Sequence, residues 1–219
     1  MQQETLRAYK DVDTDEWPRK ATFEFFRDYA DPFFNITANV EVGAAYNFCK
    51  QNDLSLSLSL LYCSLAAANE VREFRIRSLD DRLVEFDQIH ATQTILNDDD
   101  TFSFAYFEMA DNVFDFERTG RSALVKYKAL KTFDVESQRI DLIYYSVIPW
   151  VSFTSFKHAS RLDTALTIPK IVFGKIFDTA KGKQLPVSVE ANHMIMDGVH
   201  VGKFFERFQT HLNDVPGMM

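Results

Sequence analysis

The chain has 219 residues, 46% of them hydrophobic and 26% charged, with a formal net charge of -8. That length supports one sizeable core, and without a Pro/Gly/Ser-rich linker the expectation is a single domain over residues 1–219. The apolar content excludes a disordered chain, and the acidic balance with no basic run argues against a nucleic-acid partner, which would need a concentrated basic face.

Residues Met1 to Arg7 are polar rather than signal-like, and no apolar run approaches the ~20 residues of a spanning helix, so no membrane partner and a cytoplasmic location are expected. Cys49 and Cys63 have neither metal-ligand spacing nor a disulfide framework, and reduced, buried thiols are expected. The 21 Phe are many for this length, and rings in that number line a core, an interface or a pocket.

In chain order, Thr14 or Asp15 can cap a turn ahead of Pro18, and a helix follows over about 21–29. Its Phe23, Phe25, Phe26 and Tyr29 cover more than one face. Asp31 and Pro32 break that pattern, and Phe33 to Val42 alternates as a strand. A short helix over Ala44 to Lys50 precedes the clearest helix, Ser55 to Val71, where Leu54, Leu58, Leu61 and Leu65 recur at three- and four-residue spacing. Short strands are expected at Phe74 to Arg77, Arg82 to Phe86, His90 to Ile95 and Phe102 to Phe107, joined as an antiparallel meander. The acidic turn Asp98 to Asp100 reads as solvated rather than as a metal site, and no metal is expected.

Residues 112–131 return to helical spacing, with Gly120 weakening the middle. A strand over Asp141 to Ile148 leads into Pro149 to Phe156, rich in rings and hydroxyls, and Pro169 to Lys175 gives another strand. After a turn at Lys181 to Lys183, an alternating strand from Pro186 delivers His193, with Asp197 and Gly198 four and five residues later at the start of a helix. That helix, His200 to Leu212, turns Phe204, Phe205, Phe208 and Leu212 inward. A histidine at a strand end is held by the sheet, and an ordinary imidazole exchanges a proton near neutral pH. A lone histidine there is more often a structural hydrogen-bonder, and His90, His158, His200 and His211 are read as surface or structural.

Four blocks change the weight of His193. Trp17 to Lys20 with Phe23 to Phe26, Thr101 to Ser103, Pro149 to Phe156, and His193-x-x-x-Asp197-Gly198-x-His200 stand in the order and near the spacings of the chloramphenicol acetyltransferases. The chain resembles that family over about residues 8–213 and, more distantly, the dihydrolipoyl acyltransferase catalytic domains. The resemblance implies an α/β fold, a two-layer sandwich of mixed, largely antiparallel sheet with helices, of the coenzyme A-dependent acyltransferase type. It implies a homotrimer whose catalytic histidine faces the acceptor pocket of a neighbour, and chloramphenicol O-acetylation that gives antibiotic resistance.

By the same resemblance His193 is the general base, Asp197 and Arg19 are an ion pair bracing its loop, and Ser155 is the oxyanion donor. Phe25, Phe26, Phe34 and Phe102 line the acceptor pocket, Lys175 lies near the channel for the co-substrate acetyl-CoA, and no metal takes part. Asp197 has a rival reading as the orienting acid of a Ser-His-Asp triad. The sequence departs from the family at Asn192, the usual first histidine of a pair, at Val172 in place of a threonine, at Ile176 in place of an aromatic, and at Ala30 and Pro32. These departures leave two alternatives: an acyltransferase with another small acceptor, or a catalytically impaired binding protein of the same fold. The lipoyl-linked reading stands behind both, because no Ala/Pro-rich linker is present.

Overall fold

The computed structural model describes residues 8–80, 82–130, 139–159 and 167–215. In chain order these form β1 (Tyr9–Asp11), α1 (Lys20–Phe26), β2 (Phe33–Glu41), α2 (Gly43–Asn52), α3 (Leu56–Glu70), a 3-10 turn (Arg72–Arg75), β3 (Ile76–Leu79) and β4 (Arg82–Phe86). There follow β5 (His90–Leu96), β6 (Phe102–Phe107), α4 (Val113–Leu130), β7 (Leu142–Val147), β8 (Lys170–Phe173), β9 (Phe177–Thr179), β10 (Gly182–Asn192) and α5 (Gly198–Asn213).

The long strand β10 organises a seven-stranded sheet of order β2-β10-β8-β7-β5-β6, with β9 added on β10. β5 with β7 and β7 with β8 run parallel, while the other pairs are antiparallel, so the sheet is mixed and largely antiparallel. Successive side chains of a strand point to opposite faces. Leu185, Val187, Val189 and Ala191 join the core with Leu58, Leu61 and Leu65 of α3 and Val201, Phe204, Phe208 and Leu212 of α5. Each fully buried Leu or Phe of that set contributes about 1.5–3 kcal/mol. The alternate residues Ser188, Glu190 and Asn192 are buried too, so β10 is apolar toward the helices and polar toward the other face.

Helix α3 runs through this core with residues Leu58 to Ala68 all buried, capped by the Ser55 hydroxyl accepting from the Leu58 amide at 3.4 Å. Gly120 is the point where α4 crosses it: a Cβ there would lie 2.9 Å from Leu58 Cδ2, so a larger residue would have to push the Leu58 methyls aside. Cys49 and Cys63 are free, buried thiols. Among the described residues no helix is long and apolar enough to cross a membrane, and no cluster of His, Cys, Asp and Glu is arranged to hold a metal.

Several expectations change. The four strands from 74 to 107 are not one meander: β3 and β4 form a separate three-stranded sheet with β1, whereas β5 pairs with β6 and β7. The strand expected from Phe74 begins two residues later, because Phe74 is drawn from a 3-10 turn into the core against Phe204, centroids 5.1 Å apart. Arg77 is then fully buried, and its guanidinium donates to the carbonyls of Phe74 and Ile76 (2.7 and 2.8 Å) and of Ile140 and Leu142 (2.8 and 2.7 Å). It ties the small sheet to the large one. Helix α1 stops at Phe26 rather than Tyr29, and Asp13, not Thr14 or Asp15, accepts from the preceding turn, at 3.0 Å from the Asp15 amide. Pro186 lies inside β10 rather than at its start, which is Gly182 in a left-handed conformation (φ 117°) after a tight turn.

Candidate active site

Strand β10 pairs with β2 to its end, Asn192 opposite Phe33, and the chain then turns. The Asn192 carbonyl accepts from the amides of Ile195 and Met196, both at 3.0 Å, and its side-chain oxygen accepts from the Met194 amide at 2.9 Å. The His193 amide donates to the Pro32 carbonyl at 2.9 Å, which fastens the turn to the chain entering β2. The imidazole is held between two rings: Phe26 at 4.6 Å and 13°, and Phe34 at 4.1 Å and 26°. Flat packing on both faces leaves only the ring edges for chemistry.

One edge belongs to Asp197. Its Oδ1 is 3.0 Å from His193 Nδ1, while its Oδ2 pairs with the Arg19 guanidinium, and Arg19 Nη2 donates to the His193 carbonyl at 3.0 Å. The hydrogen bond from Arg19 lowers the Asp197 pKa below the usual carboxylate value, outweighing the opposite effect of partial burial. An ionised carboxylate only accepts, so Nδ1 carries the proton between the two side chains, and in the neutral imidazole the lone pair sits on Nε2. Asp197 therefore touches both partners that the sequence reading had set against each other, Arg19 and His193.

The other expected residues are elsewhere. Phe25 is 62% exposed on α1, edge-on to Phe26 at 5.0 Å. Phe102 is 44% exposed on β6, four strands from β10 in the sheet order; at ~4.8 Å per strand this is on the order of 19 Å across the sheet. Ser155 is exposed in a segment tied along β10: the Ser188 hydroxyl donates to the Phe156 carbonyl at 3.3 Å and the His158 amide donates to Glu190 at 3.2 Å. Ser188 lies four residues before Asn192, about 13 Å along an extended strand. Among the described residues no contact joins Ser155 to His193. Lys175 is exposed, its carbonyl accepting from the Ser152 hydroxyl at 2.8 Å. Val172 is fully buried in β8, Ile176 packs on the core, and Ala30 is exposed beside buried Pro32.

The sequence reading missed what Asn192 and His200 do. Asn192 is wholly buried, closing the turn with its oxygen while its side-chain nitrogen finds no partner among the described residues. The Asp197 amide donates to His200 Nδ1 at 2.9 Å, with Asp197 as the N-cap of α5. Helix-start spacing was the available signal, but a histidine at the third helical position is not the usual Glu or Gln.

A mixed sheet backed by helices on one face, with a histidine oriented at the end of its longest strand, defines an acyltransferase fold. The dihydrolipoamide acetyltransferase of Azotobacter vinelandii superposes with a TM-score of 0.68 over 91% of this chain and 88% of its own, at 12% identity, a likeness of fold. A solved chloramphenicol acetyltransferase superposes with a TM-score of 0.80 at 27% identity, over 95% of this chain and all of its own. The family model for chloramphenicol acetyltransferase matches residues 7–209, and the chain belongs to that family. Curated chloramphenicol acetyltransferases are 25% identical over 214 residues in Escherichia coli, covering 97% of both chains, and 28% identical over 201 residues in Clostridium perfringens, covering 90% of this chain and 92% of that one.

Proposed function

We propose that this protein transfers the acetyl group of acetyl-CoA to a hydroxyl of chloramphenicol and thereby confers resistance to it. The observation that carries this reading is the imidazole of His193, whose Nδ1 is 3.0 Å from an ionised Asp197 carboxylate and whose Nε2 is left as the base. Nε2 takes the proton of the acceptor hydroxyl as its oxygen attacks the thioester carbonyl. The tetrahedral intermediate then collapses, the C–S bond breaks, and the proton returns to the departing thiolate of coenzyme A. Acetyl-CoA is a co-substrate, no metal takes part, and no acyl-enzyme forms.

Ser155 donates its hydroxyl to the oxyanion from a neighbouring copy. Its exposure, and the distance along β10 between its segment and His193, support a site completed between subunits, and a homotrimer supplies that neighbour. Phe25, Phe26, Phe34 and Phe102 offer rings to the aryl acceptor, with Phe26 and Phe34 contributed by the subunit that carries His193 and Phe102 by the facing one. Lys175 lies at the coenzyme A channel, and Arg19 holds Asp197. The whole chain acts as a single acyltransferase domain in the cytoplasm.

A second reading, transfer to a different small alcohol, rests on Val172, which is buried and has no hydroxyl to offer an intermediate, and on Ala30 and Pro32 at the pocket. Release of free thiol from acetyl-CoA with chloramphenicol, then with a panel of other alcohols, tests both. Turnover with chloramphenicol supports the first reading. Turnover only with another alcohol moves the acceptor and keeps the mechanism, and thiol release with none of them overturns the enzyme reading.

A further inference from the structure

The polar contacts of the catalytic turn do not end at Asp197. Its amide donates to Nδ1 of His200 at 2.9 Å, and Nε2 of the same ring lies 3.4 Å from Oε1 of Glu73. Glu73 belongs to the 3-10 turn Arg72–Arg75, an element remote in sequence from the site. A ring nitrogen that accepts from an amide carries no proton, so His200 is neutral with its hydrogen on Nε2, facing a carboxylate that can accept it. His193 is the reverse, with its hydrogen on Nδ1. Two histidines seven positions apart are thus held in opposite tautomers by a single residue, Asp197, through its amide on one side and its carboxylate on the other.

We propose that His200 is a positioning residue for the acetyl transfer: as the neutral Nε2–H tautomer, anchored by Glu73, it holds the Asp197 backbone and through Asp197 fixes the tautomer and aim of His193. Asp197 has to place one oxygen on Arg19 and the other on His193 at once, and that double reach needs its backbone to stay still. His200 is 8% exposed. The charged groups facing it are Glu73 of the 3-10 turn, Asp197 at the start of α5, Lys203 within that helix, and Arg19 at the start of α1. Burial outweighs the acidic ones and lowers the His200 pKa, which keeps the accepting nitrogen free. Glutamine is the conservative replacement, since its oxygen can accept from the Asp197 amide and its nitrogen can donate to Glu73.

The inference rests on the proposed acetyl transfer, so the test reads both turnover and the rings. His200→Leu is expected to lower kcat with acetyl-CoA and chloramphenicol about tenfold or more, with KM for either substrate within about twofold, because a misaimed base slows chemistry without loosening binding. His200→Gln should return kcat to within about threefold of the parent. Asp197→Asn with His200→Leu should be no slower than Asp197→Asn alone, since the second change acts only through the first. A helix cap with no other role would give a less stable protein whose folded fraction keeps the parental kcat. Parental kcat in folded His200→Leu, a glutamine variant as slow as the leucine one, or multiplying losses in the double variant would each overturn the proposal.

Nitrogen NMR of ring-labelled histidine at neutral pH supplies the readout that needs no turnover. The parent should show His193 protonated at Nδ1 and His200 at Nε2, with the His193 population spread over both tautomers in His200→Leu and restored in His200→Gln. If the parent acetylates no acceptor but its rings behave in this way, the activity reading fails and the positioning inference stands; an unchanged His193 tautomer in His200→Leu sinks the inference. Should His200→Leu not fold, Glu73→Leu leaves the imidazole in place and unlocks its tautomer. It is expected to lower kcat about threefold and mix the tautomers of both rings, and parental values on both counts would overturn the proposal.

Discussion

His193 is gripped by its own chain everywhere but at its Nε2 edge: rings of Phe26 and Phe34 on its faces, the Asp197 carboxylate at one edge, Pro32 at its amide and Arg19 at its carbonyl. Ser155 is held quite differently. Its neighbours in the chain are fixed, Ser152 to Lys175 and Phe156 to Ser188, but its own hydroxyl is exposed and no contact of the described residues engages it. A general base and an oxyanion donor both act from preorganised positions, and of the two only His193 is held in position by its own chain. On the proposed reading, the contrast teaches that the base is finished within one chain and that the donor would be completed by a second.

Removing the base is the strongest way to break this picture. His193→Ala is expected to lower kcat by about 10²–10⁴-fold while acetyl-CoA binding, followed by calorimetry, stays at the parental level. Ser155→Ala comes next, at about 10²–10³-fold in kcat, the usual cost of one oxyanion donor. These two variants also sharpen the comparison. If the two groups meet only across subunits, refolding the variants together recovers activity, because a mixed trimer contains a site with both residues intact; light scattering of the parent should return a trimer mass. No recovery on mixing would place both groups in one chain.

The hydrophobic periodicity made much of this legible. Leu58, Leu61 and Leu65 announce α3, and the alternation of Val187, Val189 and Ala191 announces β10, because burial of one stripe or one face leaves a period in the sequence. Pairing leaves none. Nothing local in Arg82 to Phe86 says that it joins β1 rather than β5, and nothing in Phe74 says that a ring 130 positions later will take it from its strand. At the site, His193 and Asp197 were legible through motif spacing, and Arg19 through the resemblance to the family. His200 and Asn192 were not, because His200 stands where a capping box usually carries Glu or Gln, and Asn192 accepts from the backbone inside a buried turn.

Smaller effects test the grip on His193. Asp197→Asn strands the Arg19 guanidinium, a loss worth about 3–5 kcal/mol in a fully buried pair. The Asp197 side chain is 38% exposed, so solvent screening reduces the expected destabilisation in urea unfolding to about 1–2 kcal/mol, accompanied by lower kcat. A stable but inactive Asp197→Asn protein would make orienting His193 the whole of its role. The acid limb is the finest test. Because the folded pKa of Asp197 is depressed below the ordinary 3.8, its contribution is complete above that value and is lost as pH falls through the folded value. The stability gap between parent and Asp197→Asn should therefore close only below about pH 3.8, and a gap already closing near neutrality would contradict the ion pair.

Arg77 carries a consequence for how the chain is made. Its guanidinium is satisfied by Phe74 and Ile76 close by, and by Ile140 and Leu142 more than sixty positions downstream. During synthesis from the N-terminus, the small sheet therefore emerges with a cation whose remaining carbonyls do not yet exist, and burying it early would strand a charge. The first half of the chain is expected to stay open on the ribosome until β7 has left the exit tunnel, and a fragment ending at residue 130 should remain protease-sensitive where the full chain resists.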